Sequence, residues 1–141
     1  MSTLAERVKQ NEGFRNKIYK DTLGFATIGY GHKVVEGDPF EEGVEYPEEE
    51  LYELFLKDLQ VSIKDAERFC EGMDIDDNVK ECVTHMSFQL GLPKLNQFKK
   101  FKKALQDNDI ETAIAEMKDS RAYNQTTNRW DRLFEKMRKS I

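Results

Sequence analysis

Two acidic residues and one hydroxyl residue near the start of the chain are of the types that could hydrolyse a glycosidic bond. Glu12 lies nine positions before Asp21, and Thr27 follows six positions later. Hydrolysis needs one carboxylic acid to protonate the leaving oxygen and a second carboxylate to hold a water or face the positively charged sugar centre. The chain contains 27 Asp and Glu residues, and most such pairs are ordinary surface carboxylates. The spacing alone therefore leaves both interpretations open.

A helix would position the first of these residues. Thr3 and Glu6 form a capping-box pattern, and the apolar positions that follow end near Gly13, a natural C-terminal stop. The sequence therefore predicts a helix over residues 4–12, with Glu12 as its last residue.

A small hairpin would position the other two residues. Residues 18–30 are rich in β-branched and aromatic types, which predicts antiparallel strands with a turn near residues 22–24. Residues 35–46 hold two Gly, a Pro and several acids, and they predict a loop or a ragged third strand. Because the chain reverses direction here, the helix end and both strands can face one cleft.

Helical patterns dominate the rest of the chain. Pro47 opens a predicted long helix over residues 47–70, with three Glu residues in its first turn. Asp76 and Asp77 are capping candidates for the next helix, and Asn108 with Glu111 predicts the cap of a later one. Further apolar stripes contain Phe98, Phe101, Leu105, Trp130, Leu133, Phe134 and Met137, and we expect their aromatic residues to be core rather than sugar platforms.

These elements predict an α+β fold, with a small N-terminal hairpin lobe joined by a long helix to a mainly helical C-terminal lobe. We predict a single domain over residues 1–141. Its lobes would cover about 13–46 and 70–141 plus the helix 4–12, with 47–70 as the connecting helix. A cleft between two such lobes is a usual place for a polymer substrate.

Composition narrows the class of protein. Apolar residues make up 38% and charged residues 35%, and no apolar run approaches the length of a membrane span. The first residues are polar and helical in pattern, so we expect no signal peptide and no stable membrane association. Residues 1–82 hold 10 basic and 20 acidic side chains, whereas residues 83–141 hold 12 and 7. An acidic net charge of -5 argues against a nucleic-acid binder.

Two local features have ordinary explanations. Cys70 and Cys82 match no metal or redox spacing, so we expect reduced thiols, with a disulfide possible only if the turn near Gly72 joins them. The lysines between residues 94 and 103 could contact an anionic polymer, but such a run is more often the solvated face of a helix.

Two segments carry a family resemblance. The string NEGFRNKIYKDTLGFATIGYGH, residues 11–32, resembles the catalytic segment of the phage-type lysozymes, the muramidase endolysins of glycoside hydrolase family 24. The string SRAYNQTTNRW, residues 120–130, is similar to the C-terminal signature of that family, and Phe88, Gln89 and Gly91 resemble its core-helix motif. The resemblance spans nearly the whole chain.

The resemblance implies roles for particular residues. Glu12 would be the general acid, and Asp21 with Thr27 would position the attacking water of an inverting hydrolase. The bond cleaved would be the β-1,4 link between N-acetylmuramic acid and N-acetylglucosamine in peptidoglycan. Phe88 matches a position that lines the saccharide cleft, and Arg129 matches an arginine beside the catalytic glutamate.

His32 has two interpretations. Its residue type would suit a catalytic base, but the resemblance implies a structural ion pair with Asp58 on the connecting helix. We favour the ion pair. His85 has no such match, and we interpret it as an ordinary helix residue. The sequence implies no metal and no cofactor.

We therefore expect a monomeric peptidoglycan-cleaving enzyme. It would be made in a host cytoplasm and would reach the cell wall through a separate pore-former. One alternative is a lytic transglycosylase, which can work with one carboxyl and is disfavoured by the Asp21 and Thr27 pair. The other is an inactive wall-binding or structural module that keeps the same fold, because a fold alone does not imply activity.

Overall fold

A computed structural model of the chain describes residues 3–21 and 24–139. Its elements in chain order are α1 (Leu4–Glu12), β1 (Arg15–Lys20), β2 (Ala26–Gly29), β3 (His32–Lys33), α2 (Glu48–Phe69), α3 (Asp77–Leu90), α4 (Leu92–Leu95), α5 (Lys99–Gln106), α6 (Ile110–Lys118), α7 (Arg121–Gln125) and α8 (Thr127–Arg138). A small antiparallel sheet precedes the long helix α2, and the described elements after α2 are helical. The predicted α+β class is confirmed.

The chain divides into two compact units, one up to Gln60 and one from Val61, so the boundary falls within α2. The predicted single-domain organisation stays a prediction. In the first unit the strands pair in the order β1-β2-β3, with both pairings antiparallel. The apolar core of this unit consists of Val8, Ile28, Tyr30, Leu51, Phe55 and Leu59, all of them buried.

The local signals of the first unit are confirmed. The α1 helix spans the predicted residues, and its Thr3 cap accepts a hydrogen bond from the Glu6 backbone N–H. The hairpin is present, although β1 begins at Arg15 rather than near Ile18. In the predicted turn, Thr22 and Leu23 lie outside the described residues. The third strand is the short β3, and residues 35–46 have no strand.

The second unit has its own core of helices. The packed side chains are Ala66, Phe69, Cys70, Ile75, Val79, Cys82, Val83, Met86, Leu95, Phe101, Ala104, Leu105, Ile110, Ala113, Ile114, Met117, Ala122, Trp130, Leu133, Phe134 and Met137. Phe101, Trp130 and Phe134 are fully enclosed, and the half-buried Phe98 packs against this core. These aromatics are core residues, as predicted. Asp76 is the N-cap of α3 and accepts the Val79 N–H, also as predicted.

One predicted cap is wrong. Asn108 does not cap α6, because its φ of 54° places it in the left-handed region where α5 ends. The cap is the next residue, Asp109, whose carboxylate accepts hydrogen bonds from the backbone N–H and the hydroxyl of Thr112. Asn tolerates the left-handed conformation better than most residues. Asn108 therefore adopts that conformation after α5, and the adjacent Asp109 caps α6. These hydrogen bonds hold the pKa of Asp109 below its usual value.

Both cysteines are free and buried in the second unit. Burial raises the pKa of Cys70 to about 11 and that of Cys82 to about 12. The two cysteines are not joined by a disulfide in this structure, and the expectation of reduced thiols stays a prediction. Across residues 3–21 and 24–139, no helix combines the length and the apolar character that a membrane crossing requires.

Candidate active site

The carboxylate of Glu12 lies against the backbone of Gly31. Glu12 is the last residue of α1, and the helix ends there because Gly13 adopts a φ of 72° and donates its N–H to the Lys9 carbonyl. A Cβ atom at position 31 would lie 2.8 Å from Glu12 Oε2, closer than real Cβ contacts allow. Gly31 also has a φ of 87°, a conformation that favours glycine. The position therefore needs glycine for two reasons, and one of them is the Glu12 carboxylate.

The backbone of Phe25 connects Asp21 to Thr27. The Phe25 N–H donates to Asp21 Oδ1 at 2.9 Å, and the Asp21 N–H donates back to the Phe25 carbonyl at 2.9 Å. The same carbonyl accepts a third hydrogen bond, from the Thr27 hydroxyl, also at 2.9 Å. One residue thus sets the position of both side chains.

The sheet register places other side chains in a row with Thr27. Thr27 pairs with Tyr19 of β1 on one side and with Lys33 of β3 on the other. Directly paired residues of antiparallel strands project to the same face, so these three side chains are neighbours. Thr27 itself is only 2% exposed.

The helix that ends in Glu12 is held by an aromatic cluster. The Lys9 ammonium lies 5.2 Å from the ring centroids of both Tyr30 and Tyr52. The Tyr30 hydroxyl donates to Glu48 Oε1 at 2.7 Å, and burial together with this carboxylate raises the Tyr30 pKa to about 12. These contacts join α1, the end of the hairpin and the start of α2. They were not predicted from the sequence, because no short motif marks a cation between two rings.

His32 lies between two carboxylates. Its Nδ1 is 2.7 Å from Asp58 Oδ2, and its Nε2 is 2.9 Å from Asp38 Oδ2. A neutral imidazole has a single N–H, whereas the charged form can donate to both partners. The hydrogen bond with Asp58 is the largest cause of a raised His32 pKa, and it outweighs the opposing effect of burial. The predicted partners lie together, and Asp38 is a second partner that sequence analysis missed.

The remaining candidates lie in the second unit. Phe88 is half-buried on α3, and Arg129 is half-buried on α8. His85 is a buried residue of α3 that faces Glu81 one turn earlier, as an ordinary helix residue does. A substrate contact for Phe88 and a place for Arg129 beside Glu12 stay predictions. In the part of the chain that the structure describes, no group of three or more His, Cys, Asp or Glu residues could hold a metal ion.

Comparison with known proteins identifies the family. A family model described as phage lysozyme matches residues 9–138, and the chain therefore belongs to the phage lysozyme family. This match includes the hairpin, all the candidate site residues and the C-terminal segment.

Individual relatives agree with this assignment. The chain is 29% identical over 156 residues to probable T4-type lysozyme 2 of Dictyostelium discoideum, covering 94% of this chain and 92% of that protein. Probable T4-type lysozyme 1 of the same organism is also 29% identical, with the same coverage. The peptidoglycan hydrolase gp36 of Pseudomonas phage phiKMV is 25% identical over 94% of this chain but only 15% of its own length.

The two carboxylates around His32 predict a pH-dependent stability. The raised His32 pKa gives a stabilisation that is complete below the unfolded value of about 6.5 and is lost as pH rises through the folded value. The hydrogen bonds from Val35 and His32 lower the Asp38 pKa, so its share is present above about 3.9 and is lost as pH falls. We expect His32→Asn to reduce the free energy of unfolding more at about pH 5.5 than at about pH 9.

Urea denaturation of wild type and variant at the two pH values measures the difference. Asp38→Asn serves as the companion variant. Its loss of unfolding free energy should differ less between the two pH values than that of His32→Asn, because it removes only one of the two carboxylate partners of His32. Equal losses for His32→Asn at both pH values would show that the charged pair does not stabilise this position.

Proposed function

We propose that this member of the phage lysozyme family is a glycoside hydrolase that cleaves bacterial peptidoglycan, at the β-1,4 bond between N-acetylmuramic acid and N-acetylglucosamine. The observation that carries the proposal is the hydrogen-bonded set of Asp21, Phe25 and Thr27, in the same compact unit as Glu12. This set offers a place for a water, and Glu12 offers the acid, which are the two groups that the reaction needs.

Glu12 acts as the general acid in this mechanism. Its side chain protonates the glycosidic oxygen as the bond to the anomeric carbon breaks, so the leaving sugar departs as a neutral alcohol. The helix C-terminus and the side-chain-free surface of Gly31 support this role, because together they limit the positions available to the carboxyl.

Asp21 and Thr27 hold the water in this mechanism, and the direction of their hydrogen bonds gives it an orientation. The Thr27 hydroxyl already donates its only hydrogen to the Phe25 carbonyl, so towards a water it can only accept. An ionised Asp21 can also only accept. A water between them donates both of its hydrogens, and its lone pairs are left to attack the anomeric carbon. Asp21 accepts the proton that the water loses as the new bond forms.

Two alternative functions make different predictions for the product. A lytic transglycosylase closes a 1,6-anhydro ring without water, and it would leave the Asp21 and Thr27 arrangement without a task. A reducing-end assay on purified peptidoglycan separates it from a hydrolase. An inactive wall-binding module would bind peptidoglycan and release no product at all.

Lysis of the host cell is the biological role that we propose. The enzyme would act on the wall after leaving the cytoplasm through a separate pore-former. In the second unit, Phe88 and Arg129 would bind the saccharide. The lysozyme and hydrolase names of the relatives support an action on the cell wall.

Replacement of the acid tests the function directly. We expect Glu12→Gln to reduce lysis of outer-membrane-permeabilised cells by about 100-fold or more, because a carboxamide cannot donate the proton. The variant should keep the wild-type circular dichroism and unfolding midpoint. Substantial lysis by a folded Glu12→Gln protein would contradict the assignment.

The contact between Glu12 and Gly31 predicts a second variant. Gly31→Ala should lose most of the lytic activity, because the new methyl group would displace the Glu12 carboxylate. Gly37→Ala is the matched control, since Gly37 also has a positive φ, of 96°, but has open space where the methyl group would be placed. Both variants carry backbone strain, so the difference in activity between them reports the displacement of Glu12. Equal activities would show that the contact does not position the acid.

The stereochemistry of the product tests the water. A single displacement by a water held on Asp21 and Thr27 inverts the anomeric carbon, so a β-linked substrate should release the α-anomer. This route needs carboxyl groups about 6.5 to 9.5 Å apart, against about 5 to 5.5 Å for a double displacement. Proton NMR of the reaction before mutarotation identifies the first anomer formed. A β-anomer would make Asp21 the nucleophile and Thr27 only its hydrogen-bond partner.

A further inference from the structure

An exposed aromatic ring lies next to the Asp21 and Thr27 pair. The Phe25 backbone is held by three hydrogen bonds, yet the residue is 52% exposed. A single exposed apolar side chain is ordinary on a protein surface. This one differs because its own peptide positions both of the groups that are proposed to hold the water.

A lysine side chain accompanies that ring. Lys33 pairs with Thr27 across the sheet, and its ammonium lies 4.8 Å from the centroid of the Phe25 ring. Among residues 3–21 and 24–139, no carboxylate forms an ion pair with Lys33. The segment up to Gln60 holds 13 acidic and 7 basic residues, so carboxylates are plentiful in this unit. A cation here that contacts a ring instead of a carboxylate can still pair with an external anion.

The chemistry of these two groups indicates what they bind. From Phe25 and Lys33 we infer a substrate subsite that recognises a carboxylate of the peptidoglycan peptide stem beside the bond to be cleaved. The Lys33 ammonium pairs with the carboxylate, and the exposed Phe25 ring packs against the apolar face of the neighbouring sugar. This inference rests on the proposed function and adds to it a preference for glycan that carries charged peptides.

The Phe25 ring restricts the position of the Lys33 ammonium before substrate binds. Contact with an aromatic face attracts an ammonium group and restricts the flexible lysine side chain before substrate arrives. The pairing with Thr27 fixes where that side chain begins, in the row beside the water position. The other carboxylates of this acid-rich unit repel an approaching substrate carboxylate, so a local cation is needed to hold it.

The experiment compares two substrates and four variants of the full chain. One substrate is purified peptidoglycan, and the other is the same peptidoglycan with its carboxylates converted to amides. Lys33→Met removes the charge and keeps the length, Lys33→Arg keeps the charge, and Phe25→Leu removes the ring but keeps the backbone hydrogen bonds. Lys57→Met, an exposed change on α2, removes one charge elsewhere in the unit as the matched control. Release of reducing ends gives kcat and KM for each pair.

We expect Lys33→Met to raise KM on native peptidoglycan about threefold to fivefold, the size of one solvent-exposed ion pair, with kcat within about twofold of wild type. Lys33→Arg should retain the wild-type KM, and Lys57→Met should not change it. On the amidated substrate, wild type and Lys33→Met should have equal KM values, whereas Phe25→Leu should raise KM on both substrates.

Other results would overturn the subsite. An unchanged KM for Lys33→Met on native peptidoglycan contradicts it, and so does an increase of equal size on the amidated substrate. A fall in kcat alone would make Lys33 a positioning residue for Thr27 instead. If wild type releases no reducing ends from either substrate, the proposed function itself fails, and that outcome is distinct from the loss of carboxylate recognition.

Discussion

The hydrogen bonds at the Phe25 peptide determine the geometry of the site in the first unit. The hairpin brings Tyr19 opposite Thr27, but strand pairing alone does not orient an aspartate that lies beyond the end of β1. The Phe25 N–H orients Asp21, and the Phe25 carbonyl orients Thr27. Both proposed water-holding groups therefore depend on one backbone unit. Its position depends in turn on the register of the antiparallel pair.

The first unit supports this arrangement from several sides. The α1 helix places Glu12 against the backbone of Gly31. The contacts of Lys9 with Tyr30 and Tyr52 hold the helix in position. His32 connects β3 to α2 through Asp58, and it connects β3 to the loop after that strand through Asp38. A small sheet buries little apolar surface, so ionic and aromatic contacts have a larger share in holding it than in the helical unit.

Much of this structure was accessible from the sequence, because its signals are local. The Thr3 cap, the proline before α2 and the Asp76 cap each act within one helical turn, and each was predicted correctly. The Asn108 cap was wrong by one position, because two neighbouring residues both have side chains that suit a cap. A one-residue choice of that kind depends on backbone conformation, which composition does not reveal.

The unpredicted features involve backbone groups and distant side chains. Any residue at position 25 except proline could supply the Phe25 hydrogen bonds, so its side chain gives no sign of them. Asp38 lies in an irregular loop rich in acids, and nothing in its neighbours singles it out as the second partner of His32. The glycine at position 31 was part of the recognised motif, but the reason for it, the nearby Glu12 carboxylate, required the structure.

The two buried cysteines have a practical consequence for studying this enzyme. Thiols react with alkylating reagents as thiolates, and burial keeps Cys70 and Cys82 almost wholly protonated at neutral pH. Neither sulfur is readily accessible to a reagent, since both residues lie in the packed helical unit. A cysteine introduced on the surface would therefore react with a maleimide dye well before the native pair. The folded protein can be labelled for fluorescence without first removing its own thiols.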